Sequence, residues 1–288
     1  MSMLQFTILG SGSSGNCAYI ETPRARILVD AGFSGREIGK RLAEIGRSID
    51  DIQAVLVTHE HTDHVQGLNV LCNRHDIPLY INRLTREAVE PKLNGYKNYR
   101  VFATGSPFEI GDIHVENFSV PHDAYDPVGF LFSHGRHRIG FLTDLGYATR
   151  LVIERVRQAN VLVLEANHDM KLMQADTKRP WAVKQRILSR HGHLSNEAAA
   201  GLAREIVTDN LHRLYLGHLS RDCNEPGLAR AAVAGALHDI GAAHVALEVT
   251  SQDRRCETLV LDGAADAGGG SLSAEEPATG LSQTSRCR

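Results

Sequence analysis

The sequence predicts an α/β fold, and two patterns carry that expectation. Short apolar runs bounded by glycine and turn residues recur through the first 165 positions, and helix-period segments dominate the remainder. Leu4 to Leu9 reads as a strand, Gly10 to Asn16 as a small-residue loop, and Cys17 to Glu21 and Ile27 to Asp30 as two further strands. Ser34 to Ile45 reads as a helix, with Ser34 placed as a cap and Ile38, Leu42 and Ile45 at helical spacing. The apolar strand Ala54 to Val57 follows, then a helix over Val65 to Arg74 and a strand at Pro78 to Asn82. Strands recur at Arg100 to Ala103, Ile113 to Ser119, Val128 to Ser133, Arg138 to Leu142 and Val161 to Glu165. Helices are predicted at Trp181 to Arg190, Asn196 to Val207 and Glu225 to Gly235, with strands at Arg213 to Leu216, Val245 to Leu247 and Thr258 to Leu261. From Gly263 large apolar side chains almost vanish, so residues 1–262 are expected to form the domain and 263–288 a disordered, low-complexity tail.

Composition narrows the class. With 288 residues and 42% of them hydrophobic, the chain can bury a sizeable core. A net charge of −3 argues against a generally polybasic nucleic-acid binder but leaves room for a local basic stripe. The five cysteines are scattered, odd in number and without a C-x-x-C, which points to neither a disulfide scaffold nor a zinc ribbon. No basic segment followed by an apolar stretch opens the chain and no 18 apolar residues run together, so a soluble, cytoplasmic protein is expected, with no membrane partner. Seven of the 15 histidines fall in short motifs, which directs attention to metal or proton chemistry.

One motif imitates another function. Gly10-Ser11-Gly12-Ser13-Ser14-Gly15 has the form G-x-G-x-x-G after a strand, and Asp30 follows 20 residues after Gly10, as in a dinucleotide fingerprint. That mechanism needs a helix directly after the glycines to hold a pyrophosphate, whereas Asn16 to Glu21 reads as strand. A tight glycine turn is the expectation, and a loop that lines an active site and offers amides to phosphate is a lesser alternative.

The chemistry concentrates in Thr58-His59-Glu60-His61-Thr62-Asp63-His64, which begins where a strand ends. Two imidazoles at i and i+2 can project to one side while Asp63 and His64 turn toward a neighbouring point, so one segment can serve two metals. Imidazole and carboxylate donors suit zinc, manganese or iron, and a site without thiolate is more typical of catalysis than of structural zinc. A histidine-rich surface turn is the bland alternative. Three later loops offer further donors: Pro121-His122-Asp123, Thr143-Asp144-Leu145-Gly146 and Leu216-Gly217-His218-Leu219-Ser220.

H-x-H-x-D-H followed by a lone His, a lone Asp and a late His resembles the ordered ligand set of the metallo-β-lactamase superfamily, over residues 4 to about 261. The resemblance implies an αββα sandwich of two mixed sheets with helices on the outer faces and two divalent metal ions, zinc or manganese, at one edge. It places His59, His61 and His122 on the first ion, Asp63, His64 and His218 on the second, and Asp144 between them. Such a pair lowers the pKa of a shared water so that hydroxide can act as nucleophile. Asp30 resembles the family aspartate that orients a ligand from behind, although alone it reads equally as a turn residue.

Within the superfamily, true β-lactamases carry a cysteine where this chain has Asp144. Leu164-Glu165-Ala166-Asn167-His168 and Gly192-His193-Leu194-Ser195 resemble paired loops of the ribonuclease Z family, which implies that His193 protonates the leaving oxygen and Glu165 orients it. Cap or surface roles remain alternatives for both, and His168 reads as local loop support. The long tRNA-clasping arm of ribonuclease Z is missing, since only 22 positions separate His122 from Asp144, and so is the β-CASP insertion after Asp144. The set Gly-Ser-Gly-Ser-Ser-Gly-Asn, Thr-His-Glu-His-Thr-Asp-His, Thr-Asp-Leu-Gly-Tyr, Leu-Glu-Ala-Asn-His-Asp and Gly-His-Leu-Ser-Asn-Glu is most similar to the bacterial WalJ (YycJ) family, which implies a DNA exonuclease acting from the 5′ end.

A basic stretch before His193 holds Lys178, Arg179, Trp181, Lys184 and Arg186, and could contact phosphates and stack a base, DNA more than RNA being expected. A solvated helix face with a buried Trp is the alternative reading. Two other functions compete with the nuclease: a glyoxalase II-like small-molecule esterase or thioesterase on the same fold, and a non-enzymatic metal or nucleotide-binding module.

Overall fold

The computed structural model describes residues 3–262. The expected tail and the domain limit at 262 therefore concern a segment, 263–288, that lies outside the described residues.

Two seven-stranded sheets pack face to face. The strands are β1 (Met3–Gly10), β2 (Cys17–Glu21), β3 (Arg26–Val29), β4 (Ala54–Leu56), β5 (Leu79–Asn82), β6 (Tyr99–Phe102), β7 (Phe108–Ile110), β8 (Ile113–Ser119), β9 (Val128–His134), β10 (His137–Leu142), β11 (Val161–Glu165), β12 (Arg213–Gly217), β13 (Ala246–Val249) and β14 (Leu259–Asp262). The helices are α1 (Gly35–Ala43), α2 (Thr62–Val65), α3 (Leu68–His75), α4 (Arg83–Val89), α5 (Arg150–Val156), α6 (Met170–Ala175), α7 (Trp181–Ile187), α8 (Asn196–Ile206) and α9 (Pro226–Asp239). One sheet runs β14-β1-β2-β3-β4-β5-β6 and the other β13-β12-β11-β10-β9-β8-β7. In each, antiparallel pairs give way to parallel ones, at β3/β4 and at β10/β11.

The layering follows from the side-chain alternation. Both faces of each sheet are covered, so strands such as Val161–Glu165 are apolar at nearly every position. Val161 and Val163 point between the sheets, with Phe6, Phe130 and Tyr215, while Leu162 and Leu164 point outward onto α5, α8 and α9. On the other sheet Ile27 and Val29 face inward, and Leu28, Val55 and Leu79 meet Ile38 and Leu42 of α1 and Leu68 and Leu71 of α3. The αββα sandwich implied by the resemblance is thus the observed architecture.

Several elements differ from expectation. The helix expected over Val65 to Arg74 is two, α2 and α3, because the chain closes on the 31–33 loop: Gly67 N donates to Ala31 O at 2.7 Å, and a Cβ at Gly67 would lie 2.4 Å from Phe33 O. Helices α4, α5 and α6 and strand β7 were not expected. Each of those helices has six or seven residues, too short for a clear period, but each is capped by a side chain, Asn82, Thr149 or Asp169. The helix containing Trp181 stops at Ile187, three residues before Arg190.

Three loops converge at the sandwich edge through backbone hydrogen bonds. Asn16 N donates to Asp63 O at 2.8 Å, Gly32 N to Asn16 O at 2.8 Å, and Ala31 N to His64 O at 2.7 Å. Gly32 is required there, since a Cβ would lie 1.7 Å from Asp63 O and 2.5 Å from Asn16 N. Gly32→Ala should force these backbones apart and lower the melting temperature by an amount equivalent to about 1–3 kcal/mol or more. Gly201→Ala, in α8 with nothing within 4 Å of the new Cβ, should leave the protein equally or slightly more stable. Thermal unfolding of the two variants beside the parent checks both; a Gly32→Ala protein as stable as the parent contradicts the stitching argument.

Candidate metal centre

The candidate residues come from strand ends on one edge of the sandwich. Asp30 follows β3, His59 to His64 follow β4, His122 follows β8, Asp144 follows β10, Glu165 ends β11 and His218 follows β12. Asp30, Asp144 and His218 have φ of 60°, 58° and 56°, a left-handed conformation rare outside glycine. Each costs about 1 kcal/mol or more, and all three occur where a side chain must turn back over the edge.

The structure brings these residues together. His59 Nε2 lies 3.0 Å from His61 Nδ1, and His122 Nε2 lies 3.2 Å from the same atom. Beside this triad, His218 Nε2 is 3.2 Å from Asp63 Oδ2, and His64 Nε2 is 3.4 Å from it. Asp144 sits between: Oδ2 is 3.3 Å from His64 Nε2, and Oδ1 is 3.5 Å from His218 Nε2 and 3.8 Å from His122 Nε2.

Outer partners fix the tautomers. His64 Nδ1 donates to Asp30 Oδ2 at 2.8 Å, His59 Nδ1 to Thr58 Oγ1 at 3.0 Å, His122 Nδ1 to Gly192 O at 3.0 Å, and His218 Nδ1 to Glu165 Oε1 at 2.8 Å. Thr58 Oγ1 in turn donates to Asp30. With Nδ1 occupied, four Nε2 lone pairs face one another inside the cluster. Asp144 Oδ2 is buried and accepts no hydrogen bond. Lone pairs aimed together at 3.0–3.5 Å, with a buried carboxylate that lacks a donor, fit divalent cations.

The electrostatics divide the cluster. Burial, with the neighbouring imidazoles of His64, His122 and His61, holds His59 well below the ordinary histidine range, and burial likewise lowers His122. Burial opposes protonation of His64 and His218 too, but Asp144 and the other carboxylates beside them prevail, raising His64 well above its usual value and His218 to about 10. Burial would raise Glu165, yet His193 and His218 bring it down to about 2. Metal and proton compete for the same lone pairs, so affinity falls as pH falls.

Glu165 holds more than expected. Its Oε1 accepts from His193 Nδ1 at 2.7 Å as well as from His218, and its Oε2 accepts the amides of Leu145 and Leu194, both at 3.1 Å. His193 borders a cavity of about 390 Å³ that also exposes His61, Asp63, Asp144, Arg179 and Arg186. Three contributors had no spacing signal in the sequence. Asn16 Nδ2 reaches Asp63 Oδ2 at 3.3 Å, Ser11 Oγ accepts His218 N at 2.8 Å, and Asn167 Nδ2 donates to His218 O at 2.8 Å. The glycine loop is the tight turn expected, with strand β2 after it, and among its residues Ser13 reaches the cavity.

The basic stretch requires a correction. Lys184 is 7% exposed and its ammonium donates to Gln174 O and Asp176 O, so it holds the 176–184 turn together and has no reach to a phosphate. Its helical position, facing inward, decides this. Lys178 and Arg179 pair with Asp222, Arg179 also with Asp176, and Arg186 with Asp123. Trp181 is 67% exposed, which removes the buried reading.

A family model described as a beta-lactamase superfamily domain matches residues 25–219. Exodeoxyribonuclease YycJ of Bacillus anthracis is 36% identical over 260 residues, which cover 89% of this chain and 98% of that protein. Exodeoxyribonuclease WalJ of Streptococcus pneumoniae is 40% identical over 230 residues, 78% of this chain and 85% of the relative. The crystal structure of the metallo-beta-lactamase fold protein YhfI from Bacillus subtilis matches with a TM-score of 0.68 at 15% identity, covering 90% of this chain and 100% of that one. The chain belongs to the metallo-β-lactamase superfamily and, within it, to the family of YycJ and WalJ. It is a hydrolytic enzyme, and its converging His and Asp groups are of the kind that could hold divalent metal. Among the described residues no helix is long and apolar enough to cross a membrane.

Metal content tests the shared position of Asp144. If two ions bind as the resemblance implies, Asp144→Ala should weaken binding of both, whereas Asp63→Ala should weaken one and leave the His59, His61 and His122 triad loaded. Elemental analysis after equilibrium dialysis reads this; a parent that takes up one ion in excess metal contradicts it.

Proposed function

We propose that the chain is a two-metal phosphodiester hydrolase that removes nucleotides from the 5′ end of DNA, with zinc or manganese as its ions. His59, His61 and His122 would hold one ion, Asp63, His64 and His218 the other, and Asp144 both. Ions there would supply an activated water and offset charge building on the phosphate.

The observation that carries the reading is the placement of His193. It stands outside both triads, 19% exposed at its side chain, with Nδ1 committed to Glu165 and its far nitrogen left for the cavity. Burial lowers its pKa, but the Glu165 carboxylate more than compensates, so the ring keeps its proton to higher pH than an ordinary histidine. A held imidazolium at the mouth suits protonation of an alkoxide leaving group, the need of a phosphodiester whose leaving oxygen is a sugar hydroxyl. Arg179 and Arg186 line the same cavity and Trp181 stands exposed on α7, a combination suited to phosphate and base. The relatives named exodeoxyribonucleases support DNA as the polymer.

His193→Ala should retain both metals and cleave single-stranded DNA about 100-fold to 10,000-fold more slowly in single turnovers. The loss should shrink on a diester with a nitrophenol leaving group, which departs without a proton. Glu165→Gln should slow cleavage and also weaken metal affinity about 10-fold to 100-fold, because the same carboxylate oxygen holds His218. Metal loss in His193→Ala would make it a ligand, and equal slowing on both substrates would remove its acid role. Turnover of a thioester in place of any phosphodiester would replace the nuclease with the esterase reading.

A further inference from the structure

A second cavity lies across the 217–221 loop from the metal centre. It measures about 270 Å³, just below the ~300–1,000 Å³ typical of small-molecule sites. Ser220 lines both cavities, and Ser11 lines the second while Ser13 lines the first, so the two share a wall. The far wall is Val249, the last residue of β13, with the 250–254 loop, which puts this cavity on the ligand-bearing edge of the sandwich.

Its polar equipment is cationic. Arg221 pairs with Asp253 at 2.6 Å, which ties the 217–221 and 250–254 loops together and neutralises that guanidinium. Arg254 is exposed and makes no ion pair or hydrogen bond among the described residues. Ser220 is 6% exposed; its Oγ accepts from Cys223 N at 3.2 Å, and its hydroxyl proton has no acceptor among the described residues. Leu219, Pro226 and Val249 add an apolar surface.

We propose that this cavity binds the terminal nucleotide of the strand being cut, with Arg254 on its terminal phosphomonoester. The inference rests on the nuclease reading above and deepens it. An enzyme that works from an end must tell a terminal phosphate, with about −1.5 to −2 charge near neutral pH, from internal diesters with one charge each. An uncommitted guanidinium one small cavity away from the metal cluster makes that distinction, and its planar fork suits a phosphate dianion. The apolar wall accommodates sugar and base. With the terminal nucleotide so placed, the next phosphodiester falls on the metal side of the shared wall. Water adds its oxygen to that phosphorus, the bond to the 3′ oxygen of the terminal nucleotide breaks, and that oxygen takes a proton. The products are a 5′-mononucleotide and a strand with a new 5′-phosphate, ready to occupy the cavity again.

The test uses full-length, metal-loaded protein, single-stranded DNA of one sequence with a 5′-phosphate or a 5′-hydroxyl, and bis(4-nitrophenyl) phosphate. The parent should cut the 5′-phosphorylated strand about 10-fold faster or more in the first turnover, and the 5′-hydroxyl strand should show a lag before later turnovers proceed at the faster rate. Arg254→Ala should abolish that preference by slowing the phosphorylated strand, leaving the hydroxyl strand and the small diester at parental rates. Equal parental rates on the two strands, or equal slowing of all three substrates by Arg254→Ala, would overturn the proposal. A parent that hydrolyses the small diester and no DNA overturns it as well. One that hydrolyses neither removes the phosphodiesterase reading itself.

Discussion

The rest of the structure is organised around one constraint: four imidazole Nε2 lone pairs and two aspartates are held within a few ångströms of one another, largely out of contact with water. Such an arrangement is unfavourable without positive charge at its centre. The protein holds it in place from behind. Asp30 fixes His64 and, through Thr58, His59; Gly192 O fixes His122; Glu165 fixes His218 and His193 together. Asp30, Thr58 and Glu165 lie at or just past the ends of strands in both sheets, so the two sheets must be in register for the donors to meet. The left-handed backbones at Asp30, Asp144 and His218 are the local strain that this convergence imposes, and the sandwich core offsets it.

What the sequence disclosed follows from how locally each feature is encoded. His59, His61, Asp63 and His64 lie within six positions, so their spacing alone announces a metal segment, and His122, Asp144 and His218 were legible because each follows an apolar strand. The strands themselves were legible because both faces are buried, as in Val-Leu-Val-Leu-Glu at 161–165. By contrast Asn16, Ser11 and Asn167 act through contacts that arise once distant loops meet, and no spacing marks them. Helix α5, Arg-Leu-Val-Ile-Glu-Arg-Val, is rich in branched residues, and its helical state owes more to the Thr149 cap and the burial of Val152 and Val156 than to intrinsic preference. The inward turn of Lys184 was likewise invisible, because a lysine in a basic run reads as solvent-facing until the carbonyls of Gln174 and Asp176 are placed around it.

Under the proposed nuclease function, the charged surface around the cavity would let a chain with net charge −3 take a polyanion. Arg186 is matched by Asp123 and Arg179 by Asp176 and Asp222, so the rim is a set of ion pairs with little net potential. A phosphate entering there would exchange one anionic partner for another at each arginine. The Arg186–Asp123 pair, with the arginine largely exposed, is screened by solvent and contributes little to stability, so exchanging its partner costs little. On the proposed function, affinity would then depend less on long-range attraction than on the metal cluster and on stacking at exposed Trp181.

The proposed paired cation site is tested most directly by anomalous diffraction from crystals grown with zinc or manganese. It predicts two peaks. One lies about 2.0–2.2 Å from His59, His61 and His122, and the other lies at the same distances from Asp63, His64 and His218, with Asp144 contacting both and His193 contacting neither. A single peak, or an ion coordinated by His193 in place of one of these ligands, would contradict it.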